Sequence, residues 1–243
     1  LIIIPYVANA APIEMYQSAI SLDTADPDRT SVGELEYLGG LRLRSSNPSF
    51  GGLSGLWVNP KGNHLVAITD QGAWFTADIL YDEVGKLLGL TNTEIIQMKG
   101  IDSLPLLPPW SDAESIAVSG KKLFVSFERQ NRLYLYGQPE KPWTVIPKWL
   151  SLPEKIADGP RNGGLEAITP LIDGRLLVFA EEIYTEDGLA VWIIDNEVSQ
   201  ELTLISQGGF LPTGADILPS GDILLLERKF SLLGGFAARL RKI

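Results

Sequence analysis

Apolar residues along most of the chain fall in short runs broken by Gly, Pro, Asn and Asp, and helical spacing is absent. One grammar recurs four times: a strand, a tight glycine turn, a strongly apolar strand, a loop and an amphipathic strand. The first copy reads 51–58, a Pro60-Lys61-Gly62-Asn63 turn, 64–70 and 73–81. The second reads 112–118, 122–128 and 131–136, the third 164–170, 175–181 and 189–194, and the fourth 213–218, 222–227 and 235–240. Fourth strands are predicted for the first three copies at Glu94–Met98, Trp143–Lys148 and Glu201–Ser206.

Four strands per copy make a propeller blade, and continuous apolar second strands suit positions sandwiched between neighbouring blades. The expected fold is therefore an all-β propeller of four-stranded blades, with at least four blades visible. The fourth copy runs to Lys242-Ile243 without an outer strand. Either Gly33–Leu43 closes it, or the sequence is truncated at the C-terminus and further blades follow. Truncation is favoured, because four blades are the lower limit of the usual range.

Glycine (24) and proline (16) are frequent, as a turn-rich fold requires. With 45% hydrophobic residues over 243 positions the chain can bury a core. Its net charge of −10 argues against nucleic acid as a partner. Cysteine is absent, which excludes disulfides, thiolate nucleophiles and Cys-type zinc or iron–sulfur sites. The single histidine, His64, follows a turn and reads as a solvated turn residue, so triad hydrolysis and His-ligated zinc are disfavoured. Gly52-Leu53-Ser54-Gly55-Leu56 ends in leucine where a nucleophile elbow needs glycine. The apolar stretch 1–11, ending in Ala8-Asn9-Ala10 before Ala11, reads as the remnant of a signal peptide, and no run is long enough for a transmembrane helix. An N-terminal linker over 12–32 and an incomplete propeller over 33–243 follow, with a periplasmic or secreted location.

Aligning the copies places an acid at the end of every second strand, namely Asp70, Glu128, Glu181 and Glu227. Glu114 and Glu166 occupy matching places in first strands, which line the channel of a propeller. Converging hard oxygen ligands suit Ca²⁺ or another divalent cation. Arg129, Arg132 and Arg228 stand beside these acids and offer forked donors to an anionic substrate. The competing reading makes the same charges interblade ion pairs.

The motifs Phe50-Gly-Gly-Leu-Ser-Gly55, Thr69-Asp-Gln-Gly72, Asp112-Ala-Glu-Ser-Ile116, Phe127-Glu-Arg-Gln-Asn-Arg132, Asn162-Gly-Gly-Leu-Glu-Ala-Ile168 and Leu226-Glu-Arg-Lys-Phe230 occur in this order. Together they resemble the family called "esterase-like activity of phytase", over roughly residues 33–243. The resemblance implies an exported, bacterial, phytase-like propeller that hydrolyses phosphate or carboxylate esters. It also implies a further Asn-Phe-Glu-Gly-type strand and an Asp-Asp-Asn segment, neither of which is in the sequence. The functional expectation is hydrolysis of a small anionic ester, with water activated by a divalent cation on the channel carboxylates and an uncommitted carboxylate as base. The alternative is a non-catalytic propeller serving as a ligand- or protein-binding module.

Overall fold

A computed structural model describes residues 10–195, 198–232 and 234–243. The protein is all-β, with four antiparallel sheets arranged in a ring as a four-blade propeller. The inner strands are Leu53–Val58, Ala113–Ser119, Leu165–Pro170 and Leu211–Ile217, one per blade. The second strands are His64–Thr69, Lys122–Phe127, Leu176–Tyr184 and Ile223–Ser231.

The second strands of blades 1 to 3 are apolar on both faces because each is covered on both, in blade 1 by the N-terminal segment around Ile13, Leu41 and Phe50 and by blade 2, and in blades 2 and 3 by the neighbouring blades. Val66, Ile68 and Trp74 of blade 1 share a core with Val125, Phe127 and Tyr136 of blade 2. Trp74 meets Tyr136 edge-on, with ring centroids 5.0 Å apart. Leu133 of blade 2 joins Ile168, Val178 and Trp192 of blade 3, and Phe179 and Val191 of blade 3 meet Ile223 and Leu225 of blade 4. Each fully buried side chain of this size contributes about 1.5–3 kcal/mol, so interblade packing dominates the stability.

Buried hydroxyls link adjacent inner strands where no sheet hydrogen bonds can cross. Ser126 Oγ donates to the Leu165 carbonyl at 2.9 Å, and Ser115 Oγ accepts from the Ile168 amide at 3.2 Å. Ser54 Oγ donates to the Ala113 carbonyl in the same manner.

Several elements differ from the sequence expectation. Blade 2 has no strand at 143–148, where Pro142–Thr144 forms a 3₁₀ turn and the outer strand is Lys148–Leu150. Pro142 and Pro147 lack amide donors, so pairing begins only beyond them. In blade 1 the outer strand is longer than predicted, Leu87–Gln97, and Ala11–Pro12 pairs with its outer edge. In blade 3 the outer strand is Val198–Leu204. Segment 33–43 does not close blade 4, because Leu35–Glu36 turns back on Ser31–Val32 and Leu41–Arg44 pairs with Tyr16–Ala19. Residues 1–9, most of the proposed leader, lie outside the described residues. No helix among the described residues is long and apolar enough to cross a membrane.

Candidate functional site

Each inner strand carries a β-bulge one turn of the pleat from its start. Pairing jumps between Leu53 and Gly55, Ala113 and Ser115, Leu165 and Ala167, and Pro212 and Gly214. The extra residue is Ser54 in blade 1, Glu114 in blade 2, Glu166 in blade 3 and Thr213 in blade 4. A bulge bends its strand and re-aims the surplus side chain. All four of these side chains line one cavity of about 430 Å³ at the end of the ring where the inner strands begin.

The ends of the second strands of blades 1, 2 and 4 add Asp70, Glu128 and Arg228 to the cavity wall. Asp70, Glu128 and Glu181 directly follow Thr69, Phe127 and Ala180, the residues paired with Leu53, Ala113 and Leu165 just before each bulge. In blade 4 that paired residue is Glu227 itself, opposite Pro212, so the equivalent of the three acids is Arg228. A shift of one residue turns a side chain to the other face of a strand. Glu227 accordingly does not join the cavity. It is fully buried between the last two strands, where Arg239 meets it at 2.7 Å and Arg241 at 3.0 Å.

Arg228 and Arg129 both line the cavity. Arg228 pairs with Glu181 at 3.3 Å, and Arg129 pairs with Asp112 through Nε at 2.5 Å. Arg129 holds a left-handed backbone, φ 58°, a conformation that costs a non-glycine residue of order 1 kcal/mol and that here turns its side chain back over Asp112. Arg132 does not reach the cavity. It is fully buried, its guanidinium 4.0 Å from the centroid of the Phe127 ring and bonded to the carbonyls of Gln130 and Trp110. It therefore anchors the segment leading to Asp112 instead of facing a ligand.

Asp112 was not singled out by the repeat, yet it stands at the centre of the acidic group. Carboxylate oxygens of Asp112, Glu114 and Glu128 lie within 4.8 Å of one another. One oxygen of Glu128 accepts the amides of Gly163 and Gly164, the latter at 3.1 Å, which fixes its orientation. Gly52 and Gly164 occupy the place of Asp112 in blades 1 and 3, since each carbonyl accepts the amide of the second-strand acid: Gly52 from Asp70, Asp112 from Glu128, Gly164 from Glu181. Those glycines make room. A Cβ on Gly52 would fall 2.1 Å from Asp70 Oδ1.

Crowding of like charge sets the protonation of the group. Burial pushes the Glu114 carboxyl up to about 8, with Glu128, Asp112 and Asp70 adding to the effect and Arg228 opposing it. Burial likewise pushes Glu166 up to about 9, reinforced by Glu181, Glu114 and Glu128, the last also hydrogen-bonded to it. Asp70 is raised by burial and by Asp112, against Arg129. For Arg228 burial acts downward, but Glu181, Glu166 and Glu114 outweigh it and the net shift is upward.

The donor set fits a hard divalent cation. Every converging ligand is a carboxylate oxygen, and a separation of up to 4.8 Å is what two oxygens on opposite sides of a Ca²⁺ show at about 2.4 Å each. Burial is the first cause of the upward shifts of Glu114 and Glu166, and the part added by neighbouring carboxylates is repulsion that a cation would relieve.

The profile of the phytase-like family, described as esterase-like activity of phytase, matches residues 48–243. The chain belongs to this family. The match takes in all four blades and every residue of the acidic cavity. No curated relative matches the phytase-like chain. Among solved structures, it is similar to the WD40 repeats of RRP9 at 12% identity, over 78% of this chain and 50% of that one, with TM-score 0.42. A structural-genomics protein from Bacteroides thetaiotaomicron VPI-5482 aligns at 12% identity over 92% and 50%, with TM-score 0.45. The computationally designed Ika4 protein aligns at 11% identity over 79% and 91%, with TM-score 0.37. The chain thus spans half the length of the first two of these.

Proposed function

We propose that this phytase-like propeller is an exported hydrolase of phosphate or related small anionic esters, working in the bulge-lined cavity with a divalent cation such as Ca²⁺. The observation that carries the reading is the convergence there of Asp112, Glu114 and Glu128 with two arginines, inside a family named for esterase-like activity of phytase. The apolar stretch ending in Ala8-Asn9-Ala10 supports export.

Asp112, Glu114 and Glu128 would hold the cation, which when bound offsets negative charge and lowers the pKa of coordinated water. Arg129 and Arg228 line the cavity with guanidinium groups suited to the non-bridging oxygens of a phosphate. Ser54 and Thr213 add neutral hydroxyls to the lining. Glu166 stands outside the cation trio, and burial, the first cause of its rise to about 9, favours the protonated carboxyl. It is the group suited to donate that proton to a leaving alkoxide. Glu181 is paired with Arg228 and orients it.

The test is turnover by the purified chain on phosphate and carboxyl esters, with EDTA and then with Ca²⁺, Mg²⁺ or Mn²⁺ restored. Cation-dependent release that fails in Asp112→Asn and Glu128→Gln supports the reading. Binding of Ca²⁺ without turnover on any ester would leave the propeller a binding module.

A further inference from the structure

A second cavity, of about 750 Å³, opens at the far end of blade 1. The inner strand of that blade begins at Leu53 beside the acidic cavity and ends at Val58, next to Asn59 of the second one. Six residues of strand separate the two by about 17–20 Å. The volume falls within the range of about 300–1,000 Å³ common to small-molecule sites.

The walls are built and fixed. His64 is not a solvated turn residue: Nδ1 meets Asp78 at 2.7 Å and Nε2 meets Thr76 Oγ1 at 3.0 Å. Thr76 is buried and also donates to the Leu65 carbonyl, and Asp78 accepts from Asn92 at 2.8 Å. This order of side chains looks like a nucleophile, base and acid, but the Thr76 hydroxyl is committed to a backbone carbonyl, so the chain forms a rigid floor. Asn92 sits at a bulge with φ 49°, a left-handed conformation that asparagine tolerates better than most residues. Thr93 exchanges two hydrogen bonds with Ile13 and so clamps the N-terminal segment as a side wall. Buried Asn59 ties the turn to Glu140 at 3.3 Å.

The groups left facing the cavity are balanced in sign. Lys61 and Lys141 stand among Glu94, Glu140 and Asp78, the last held by His64 and Asn92, so neither sign dominates the lining and a neutral ligand suits it better than a multiply charged one. Asn63 Oδ1 accepts from Asn59 and Asn92 Nδ2 donates to Asp78, so Asn63 Nδ2 and Asn92 Oδ1 offer the cavity one donor and one acceptor. Trp143, packed on one side against the core between blades 1 and 2, contributes an aromatic surface to the cavity. An amide donor and an amide acceptor beside an aromatic ring match a polyhydroxylated ring, whose hydroxyls both give and accept and whose C–H face packs on an indole.

We infer that this cavity is a binding site for a neutral saccharide, independent of the acidic cavity. The inference does not rest on the hydrolase reading. The test is calorimetric titration of the full chain with neutral oligosaccharides, namely α- and β-linked glucans, mannans and chitin fragments, in EDTA. Expected is binding by at least one of them with a dissociation constant of about a millimolar or tighter. Trp143→Ala and Asn63→Ala should each weaken it by about tenfold or more, and Glu166→Gln should leave it unchanged. Asn63→Ala also guards against a misfolded Trp143 variant, since a matching thermal melt shows that the fold is kept. Absence of binding across the panel overturns the inference. So does binding lost in Glu166→Gln but kept in Trp143→Ala, or a cavity that takes only charged amino acids or phosphate.

Discussion

Replacing Glu166 with glutamine should stabilise the protein at neutral pH, and the sign of that change separates a crowded acid from an ion-paired one. Glu166 is buried, and the nearest arginine on that side, Arg228, is engaged with Glu181 at 3.3 Å. Its carboxyl rises from 4.5 to about 9, first through burial and then through Glu181, Glu114 and Glu128. Folding therefore takes up a proton between those values. The contribution is fully present below about pH 4.5 and falls as pH rises towards 9, by about 1.4 kcal/mol per pH unit. Between about pH 5 and pH 7 the wild type should lose about 3 kcal/mol from this group alone.

Glutamine keeps the shape and does not titrate, so the variant should match the wild type near pH 5 and exceed it by about 3 kcal/mol at pH 7. Urea unfolding followed by tryptophan fluorescence, in EDTA at several pH values, measures the difference directly. A salt-bridged Glu166 would give the opposite result, a loss of about 3–5 kcal/mol when one partner of a buried pair is removed. Parallel stability curves for the two proteins, or a variant less stable at pH 7, would refute the account of the site as a set of mutually repelling acids.

Glu227→Ala should cost about 3–5 kcal/mol in urea unfolding, because it strands Arg239 and Arg241 around a fully buried position, while leaving Ca²⁺ affinity by calorimetry unchanged. Ser126→Ala should cost about 1–3 kcal/mol, since it leaves the Leu165 carbonyl and the Ser115 amide without their side-chain partner, and a loss under 0.5 kcal/mol would argue against hydroxyl links between blades. Gly52→Ala and Gly62→Ala both place alanine at positive φ, but only the former drives a Cβ into Asp70. Gly62→Ala should show the backbone cost alone, about 1–2 kcal/mol, and Gly52→Ala that cost plus a fall in cation-dependent turnover. Equal turnover in these two variants would show that Asp70 is not needed at the site.

The sheet content and the four-fold repeat were legible because strand periodicity and glycine turns are local signals, repeated in each blade. Glu114 and Glu166 were legible for the same reason: each sits at one fixed offset within its copy. Glu227 departs from the repeat because the fourth copy carries Arg228 where the others carry an acid, and its own acid falls one residue earlier, opposite Pro212. Asp112 gave no repeat signal, since its equivalents are the glycines Gly52 and Gly164. Arg132 follows Glu128 closely in sequence, but it opens a new strand and its side chain turns to the Phe127 ring. His64 was read from the turn before it, whereas its partners Thr76 and Asp78 lie on the next strand. The outer strand of blade 2 was obscured by Trp143 and Val145, which supply a strand-like apolar pattern while packing on the core from a proline-bracketed loop.

What distinguishes this propeller end from a structural ring is the unequal use of four equivalent bulges. Blades 2 and 3 place carboxyls at the bulge, and blades 1 and 4 place hydroxyls. Five carboxyls, Asp70, Asp112, Glu114, Glu128 and Glu166, line it against two guanidiniums. A purely structural network would tend to match its charges, as Glu227 is matched by Arg239 and Arg241. Without a cation, the upward shifts of Glu114 and Glu166, caused first by burial and then by the neighbouring acids, lessen that surplus. An anionic ester entering the same space would meet that surplus as repulsion, so in the proposed hydrolase the cation must bind before or together with the substrate.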